Sequence, residues 1–247
     1  MTIAPFQVSL WIELLAAGLG GLQGALFAAS QRERRIDVLG VVVIGLTVAL
    51  GGSLLRDVVL NQPPVVIWAD WYLLVAGVSA VIGMALQPVF AKADWLITLL
   101  DAVVMGIFGA IGASKALSLG VGMVGAIVVG VIGAIGGGVL RDLILNRPIT
   151  ILHVGTLYAV AAGAGAASLV LLLTLGVPIT IAGPVAVAVT TALRLAAVRL
   201  GWTFPEQRAL HPRFPSAVAP PDDADHVPGD AVLSEHRIRS ITTTVLR

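Results

Sequence analysis

Apolar runs of about twenty residues, parted by short polar or proline-bearing breaks, fill the first 200 positions of this chain. They fall near residues 8–29, 36–60, 71–90, 95–116, 119–145, 153–175 and 179–200. A helix needs about 20 apolar residues to cross the hydrocarbon core, so the pattern predicts seven transmembrane helices. The breaks at 31–35, 61–70, 87–94, 146–150 and 176–178 hold charge or proline and read as loops. Beyond Trp202 the pattern stops. Pro205, Pro212, Pro215, Pro220 and Pro221 then alternate with polar residues, and Asp222, Asp223 and Asp225 form an acidic cluster. Such a segment buries too little apolar surface to order itself; it is expected to be largely disordered, with a short helix near 233–245.

One stretch occurs twice. Gly51-Gly52-Ser53-Leu54-Leu55-Arg56-Asp57 returns 85 residues later as Gly136-Gly137-Gly138-Val139-Leu140-Arg141-Asp142, and 12 of 25 positions agree between residues 40–64 and 125–149. Each copy continues through a short apolar tail to Asn and then Pro. Glycine costs roughly 1 kcal/mol in a helix interior, so a cluster of small residues has two readings. It permits close helix packing, as membrane helices widely use, or it breaks the helix. The neighbouring Arg and Asp favour a functional break. A charge at mid-membrane costs roughly 2.5–3.5 kcal/mol and normally faces a cavity or a partner, and paired interruptions in matching halves mark midplane transport sites.

The repeat unit is three helices long. Three is odd, so the second unit enters the membrane from the opposite side. The fold expected is therefore an all-α polytopic membrane protein: residues 1–89 and 90–176 as two inverted three-helix repeats, 177–202 as a seventh helix, and 203–247 as a cytoplasmic tail. Basic residues sit in the odd loops and past the last span: Arg32, Arg34 and Arg35; Lys92; Arg147; Arg199, Arg208 and Arg213. The positive-inside rule puts those loops and the C-terminus in the cytoplasm and the N-terminus outside. Arg56-Asp57 then faces outward and Arg141-Asp142 inward, with two half-paths meeting between them.

The first helices of the two units match at an offset of 88. Glu13 precedes Gly24 as Asp101 precedes Gly112, 11 residues in each case. An acid in a span must be paired, protonated or wetted; Asp101 reads as pore-lining or as a structural partner, and Glu13 equally as interfacial. Gln23 either lines a path or bonds another helix. Lys115 lies where snorkelling to the interface is the default. Trp68, Trp71, Tyr72, Trp95 and Tyr158 near span ends suit an aromatic belt, and His153 reads as a capping or interfacial residue.

Composition narrows the function. The chain is 57% hydrophobic and 12% charged, with mean hydropathy +0.98, against about 25% charged in soluble domains. There are no cysteines, so thiolate metal sites and disulfides are excluded. A formal net charge of +1 offers no broad surface for nucleic acid. No cleavable signal peptide is expected, since Glu13 interrupts the first apolar run and no basic segment precedes it. No histidine cluster or nucleophile elbow stands in a span, so an enzyme is not expected, and no cofactor is implied beyond a permeant potassium or sodium ion.

These motifs, with Asp101-Ala102 through Phe108 to Gly112 and Lys115-Ala116, resemble the prokaryotic branch of the trimeric intracellular cation (TRIC) channel family. That branch overlaps a bacterial membrane family (UPF0126) also labelled as glycine transporters. The likeness covers roughly residues 10–200. It implies a homotrimer in the bilayer, one ion path per protomer, and permeation by monovalent cations, potassium first. It implies that the second and fifth spans line the path at Gly51, Gly52, Ser53, Gly136, Gly137 and Gly138, with Arg56, Asp57, Arg141 and Asp142 as its charged groups. Ser53 stands where a third glycine is usual, Glu13 where aspartate is, and Gly20 where an aromatic is. The competing expectation is a secondary transporter of a small solute such as glycine, in which an arginine holds a substrate carboxylate.

Overall fold

In the computed structural model of the protein, residues 9–31, 35–90, 94–151 and 157–203 are described. They form eight helices: α1 (Leu10–Ser30), α2 (Val38–Val59), α3 (Val65–Trp68), α4 (Asp70–Phe90), α5 (Asp94–Ser118), α6 (Met123–Ile144), α7 (Tyr158–Thr174) and α8 (Ile179–Leu200). Six are long and apolar enough to cross a membrane: α1, α2, α4, α5, α6 and α8. This is an all-helical polytopic membrane protein. The sixth apolar run gives α7, 17 residues long, about 25 Å of rise and at the lower limit for a span. His153, Arg32, Arg34, Lys92 and the tail with its expected short helix lie outside the described residues.

The helices assort by contact. α1, α2 and α4 pack together; α5, α6 and α7 pack together; α8 covers α5 and α7. The two groups meet mainly where α2 crosses α6 and α1 runs beside α5. Small residues make this density possible. Ala16, Ala25, Ala76, Ala80, Ala102, Ala113, Ala126 and Ala182 are fully buried, and Gly24 and Gly45 face the neighbouring helix so closely that a Cβ would collide. Without a solvent-driven hydrophobic effect between membrane helices, close van der Waals contact is what association must use.

Both α2 and α6 end in the same way. Asn61 and Asn146 take φ of 51° and 44°. The Asn61 N–H donates to the Val58 carbonyl and Gln62 N–H to the Asp57 carbonyl; Asn146 and Arg147 donate likewise to Leu143 and Asp142. That is the Schellman arrangement, which satisfies the last helical carbonyls. Asparagine tolerates the left-handed conformation, and Pro63 or Pro148 follows where a helix cannot continue. The Asn-x-Pro tail of the repeated stretch is therefore a helix stop.

The glycine clusters do something other than the break expected of them. The helix runs unbroken through Gly51–Ser53 and through Gly136–Gly138. The glycines instead form the α2–α6 crossing, reciprocally at the 85-residue offset. A Cβ on Gly51 would lie 2.7 Å from Leu140 Cδ1, and one on Gly136 2.9 Å from Leu55 Cδ1. A Cβ on Gly52 would strike the Gly133 carbonyl oxygen, and one on Gly137 that of Val48.

Candidate functional site

Two small cavities lie among the helices that meet at this crossing. One, about 20 Å³, is lined by Glu13, Ser53, Arg56, Tyr72, Phe108 and Ile111, among others. The other, about 10 Å³, is lined by Gln23, Val48, Asp101, Phe108, Gly137 and Tyr158, among others. Each holds space for about one water molecule. A far larger groove, about 780 Å³, opens between α1, α5 and α8; its walls are mostly apolar and no charged side chain lines it.

The acids in the two cavities are held alike. The Tyr72 hydroxyl donates to Glu13, and the Tyr158 hydroxyl donates to Asp101 at 3.4 Å. Each acid stands on the first helix of its group and each tyrosine on the third. Tyr72 and Tyr158 are thus not aromatic-belt residues; Tyr72 is buried, while Trp68, Trp71 and Trp95 remain exposed as a belt requires. Asp101 also accepts from Gln23 Nε2 at 3.0 Å. Gln23 is 2% exposed, and this bond assigns it to helix bridging within a cavity wall.

The Arg-Asp pairs are turned inward on themselves. Arg56 Nε and Lys115 Nζ both donate to Asp57 Oδ1 at 2.8 Å, while Asp57 Oδ2 accepts the Val65 N–H at 3.3 Å. In the second copy Arg141 Nε and Nη2 donate to Asp142 Oδ1 at 3.0 and 2.8 Å. Asp142 Oδ2 accepts from the Thr150 N–H and hydroxyl at 3.1 and 2.9 Å. Both aspartates therefore clamp the return loop to the helix end, eight residues on in each copy. A buried charge without such partners would cost several kcal/mol. Lys115 is an ion-pair partner here, not a snorkelling residue.

The copies differ in what flanks these pairs. Lys115 on α5 corresponds at the 88-residue offset to Phe27 on α1. Where Lys115 adds a second cation to Asp57, the Phe27 ring carries Arg141 over its face, Cζ 3.8 Å from the ring centroid, with Arg147 Cζ at 5.3 Å. The second half also holds a cation that sequence reasoning overlooked. Arg194 of α8 is 9% exposed and sits 4.7 Å from the Tyr158 ring centroid. An arginine inside the last apolar run, a turn and more before Arg199, was the available signal. Tyr72 and Tyr158 carried a signal as well, in their 86-residue spacing.

Among the described residues no group of three or more His, Asp and Glu gathers in a way that could hold a metal ion.

Comparison with known proteins gives this geometry a context. A family model described as "Glycine transporter" matches residues 10–88 and again 98–174. The UPF0126 inner membrane protein YadS of Escherichia coli is 33% identical over 193 residues, 76% of this chain and 91% of that protein. A UPF0126 membrane protein of Deinococcus radiodurans is 33% identical over 164 residues, 66% of this chain and 75% of its own. The chain belongs to the TRIC/UPF0126 family. Two solved structures carry the first half of that name. A chain from structural work on conductance through TRIC cation channels superposes with TM-score 0.71 at 29% identity, covering 81% of this chain and 97% of that one. The TRIC trimeric intracellular cation channel orthologue of Rhodobacter sphaeroides superposes with TM-score 0.71 at 32% identity, covering 78% and 97%. The two TRIC/UPF0126 family matches begin 88 residues apart, the offset that pairs Glu13 with Asp101 and Phe27 with Lys115.

Proposed function

We propose that this protein is a channel for monovalent cations, potassium-preferring, which works as a homotrimer with one path through each protomer. The observation that carries the reading is the pair of cavities between the two helix groups, each presenting one carboxylate and one tyrosine hydroxyl. Carboxylates in such pockets raise the local cation concentration, and hydroxyl and carbonyl oxygens replace part of the hydration shell. The hydrogen bonds described to Glu13 and Asp101 come from neutral groups, Tyr72, Tyr158 and Gln23, and these two acids take that role. Asp57 and Asp142, already engaged with cations, position the helix ends instead. Similarity to the TRIC cation channels over most of the chain supports the same reading.

The path runs between two inverted repeats. α1 passes from the Glu13 cavity to Gln23 in the other, about 15 Å on, while α5 passes back from Asp101 to Ile111. That opposite travel of matched helices supports the inversion, with α2 and α6 lining the route at their glycine clusters and α8 as the seventh span. The N-terminus faces outward and the tail the cytoplasm, across an inner or plasma membrane.

The second reading is a secondary transporter for a small solute such as glycine, favoured by the description of the matching family; Arg141 would hold the carboxylate. Purified protein in planar bilayers separates the two. The channel reading expects single-channel potassium currents, changed or lost in Gly137→Leu. No current, together with saturable glycine uptake into proteoliposomes that Arg141→Ala abolishes, would replace it with the transporter.

A further inference from the structure

Phe108 and Gly20 stand at matching positions, since α5 follows α1 at the 88-residue offset. They also touch: a Cβ on Gly20 would lie 3.3 Å from Phe108 Cε2 and 2.9 Å from the Ala49 Cα. In a two-fold arrangement, a residue that meets its own counterpart lies at the axis relating the halves. Only one of the pair has a side chain, so a single ring fills the space there. Phe108 is 7% exposed, and among the described residues it alone lines both cavities. The walls divide at its level. On α5, Val104 faces the Asp101 cavity and Ile111 the Glu13 cavity; on α2, Val48 faces the first and Ala49 the second.

We propose that the Phe108 ring is the septum interrupting the polar route through the protomer, and that its displacement from Gly20 joins the two cavities. The inference rests on the proposed channel path. An apolar constriction excludes water and ions by dewetting, and a phenyl ring offers a cation no oxygen. To move, the ring must leave its packing beside Ala16, Val104 and Ile111; Gly20 presents it no side chain to pass. Two carboxylate-bearing pockets separated by one apolar ring thus constitute a closed state that a rotamer change can open.

The chain has no cysteine, so single introduced thiols report without background. Ser53→Cys places one in the Glu13 cavity. Gly138→Cys places one in the Asp101 cavity, where a Cβ meets nothing nearer than the Tyr158 hydroxyl at 3.5 Å. Full-length protein is reconstituted in oriented vesicles and exposed to silver ions, similar in size to potassium, from one face at a time. With Phe108 present, each thiol is expected to react from one face only, and from opposite faces. With Phe108→Ala, each reacts from both, and the mean potassium current in bilayers rises roughly tenfold or more. Phe108→Leu gives an intermediate result and carries the test where the alanine variant does not fold. Thiols reactive from both faces in the presence of Phe108 would overturn the septum, as would unchanged sidedness and current in both variants beside a conducting wild type. Sidedness that changes in a protein passing no cation current would sustain the septum and remove the channel reading instead.

Discussion

Single residues in this protein are tied by charge. Asp57 is wholly buried and serves Arg56, Lys115 and the backbone at Val65 together. Removing one partner from a buried ion pair costs about 3–5 kcal/mol, because the other charge is left in a low dielectric. Asp57→Ala is therefore expected to lower the melting temperature in detergent sharply. Lys115→Met alone leaves Arg56 to pair with Asp57 and costs less. The double variant Asp57→Ala/Lys115→Met is expected to be less damaging than the sum of the singles, and strict additivity in the thermal melts would refute coupling. These residues were legible only in part. The repeated Arg-Asp announced a buried charged pair, since nothing else excuses such residues in an apolar run. That each pair closes on itself and grips the loop eight residues later was not legible, because it depends on how the chain returns after Asn61 and Asn146. Position alone marks Tyr72 and Tyr158 as interfacial aromatics. Their hydroxyls become visible only once the third helix of each group is laid beside the first.

At the scale of elements, the glycine clusters decide how near α2 and α6 come. Gly52 and Gly137 face backbone carbonyls of the opposite helix with no room for a methyl group. Overpacking of this kind typically costs about 1–3 kcal/mol, and here the obstacle is backbone, which cannot rotate aside. Gly77 on α4 has nothing within 4 Å of its would-be Cβ, so alanine there removes only unfolded-state freedom and stabilises by about 0.4–1 kcal/mol. Gly52→Ala and Gly77→Ala should thus shift thermal stability in opposite directions. Equal shifts would mean that the crossing is looser than described. The lengths of the six long apolar helices followed from hydropathy to within a few residues, because a span is dictated by the thickness of its solvent. The state of the glycine clusters did not follow. Local propensity disfavours glycine inside a helix, yet the hydrogen-bonded helix persists where a neighbouring helix supplies the packing that glycine permits.

The molecule as a whole is two near-copies that exchange contacts, yet they are not equal. Lys115 stands beside Asp57 in one half, while its counterpart Phe27 stands beside Arg141 in the other. The second three-helix group also receives Arg194 from α8, over the Tyr158 ring. On the proposed path, a cation entering from the Glu13 end and one entering from the Asp101 end therefore cross different electrostatic landscapes in different order. Open-state current under identical potassium solutions should accordingly rectify, passing more charge at one polarity than at the reverse. Lys115→Phe makes the matching positions alike and should flatten the current–voltage curve toward a straight line. A linear curve from the unaltered protein would mean that the duplicated halves remain electrical equals despite their divergence.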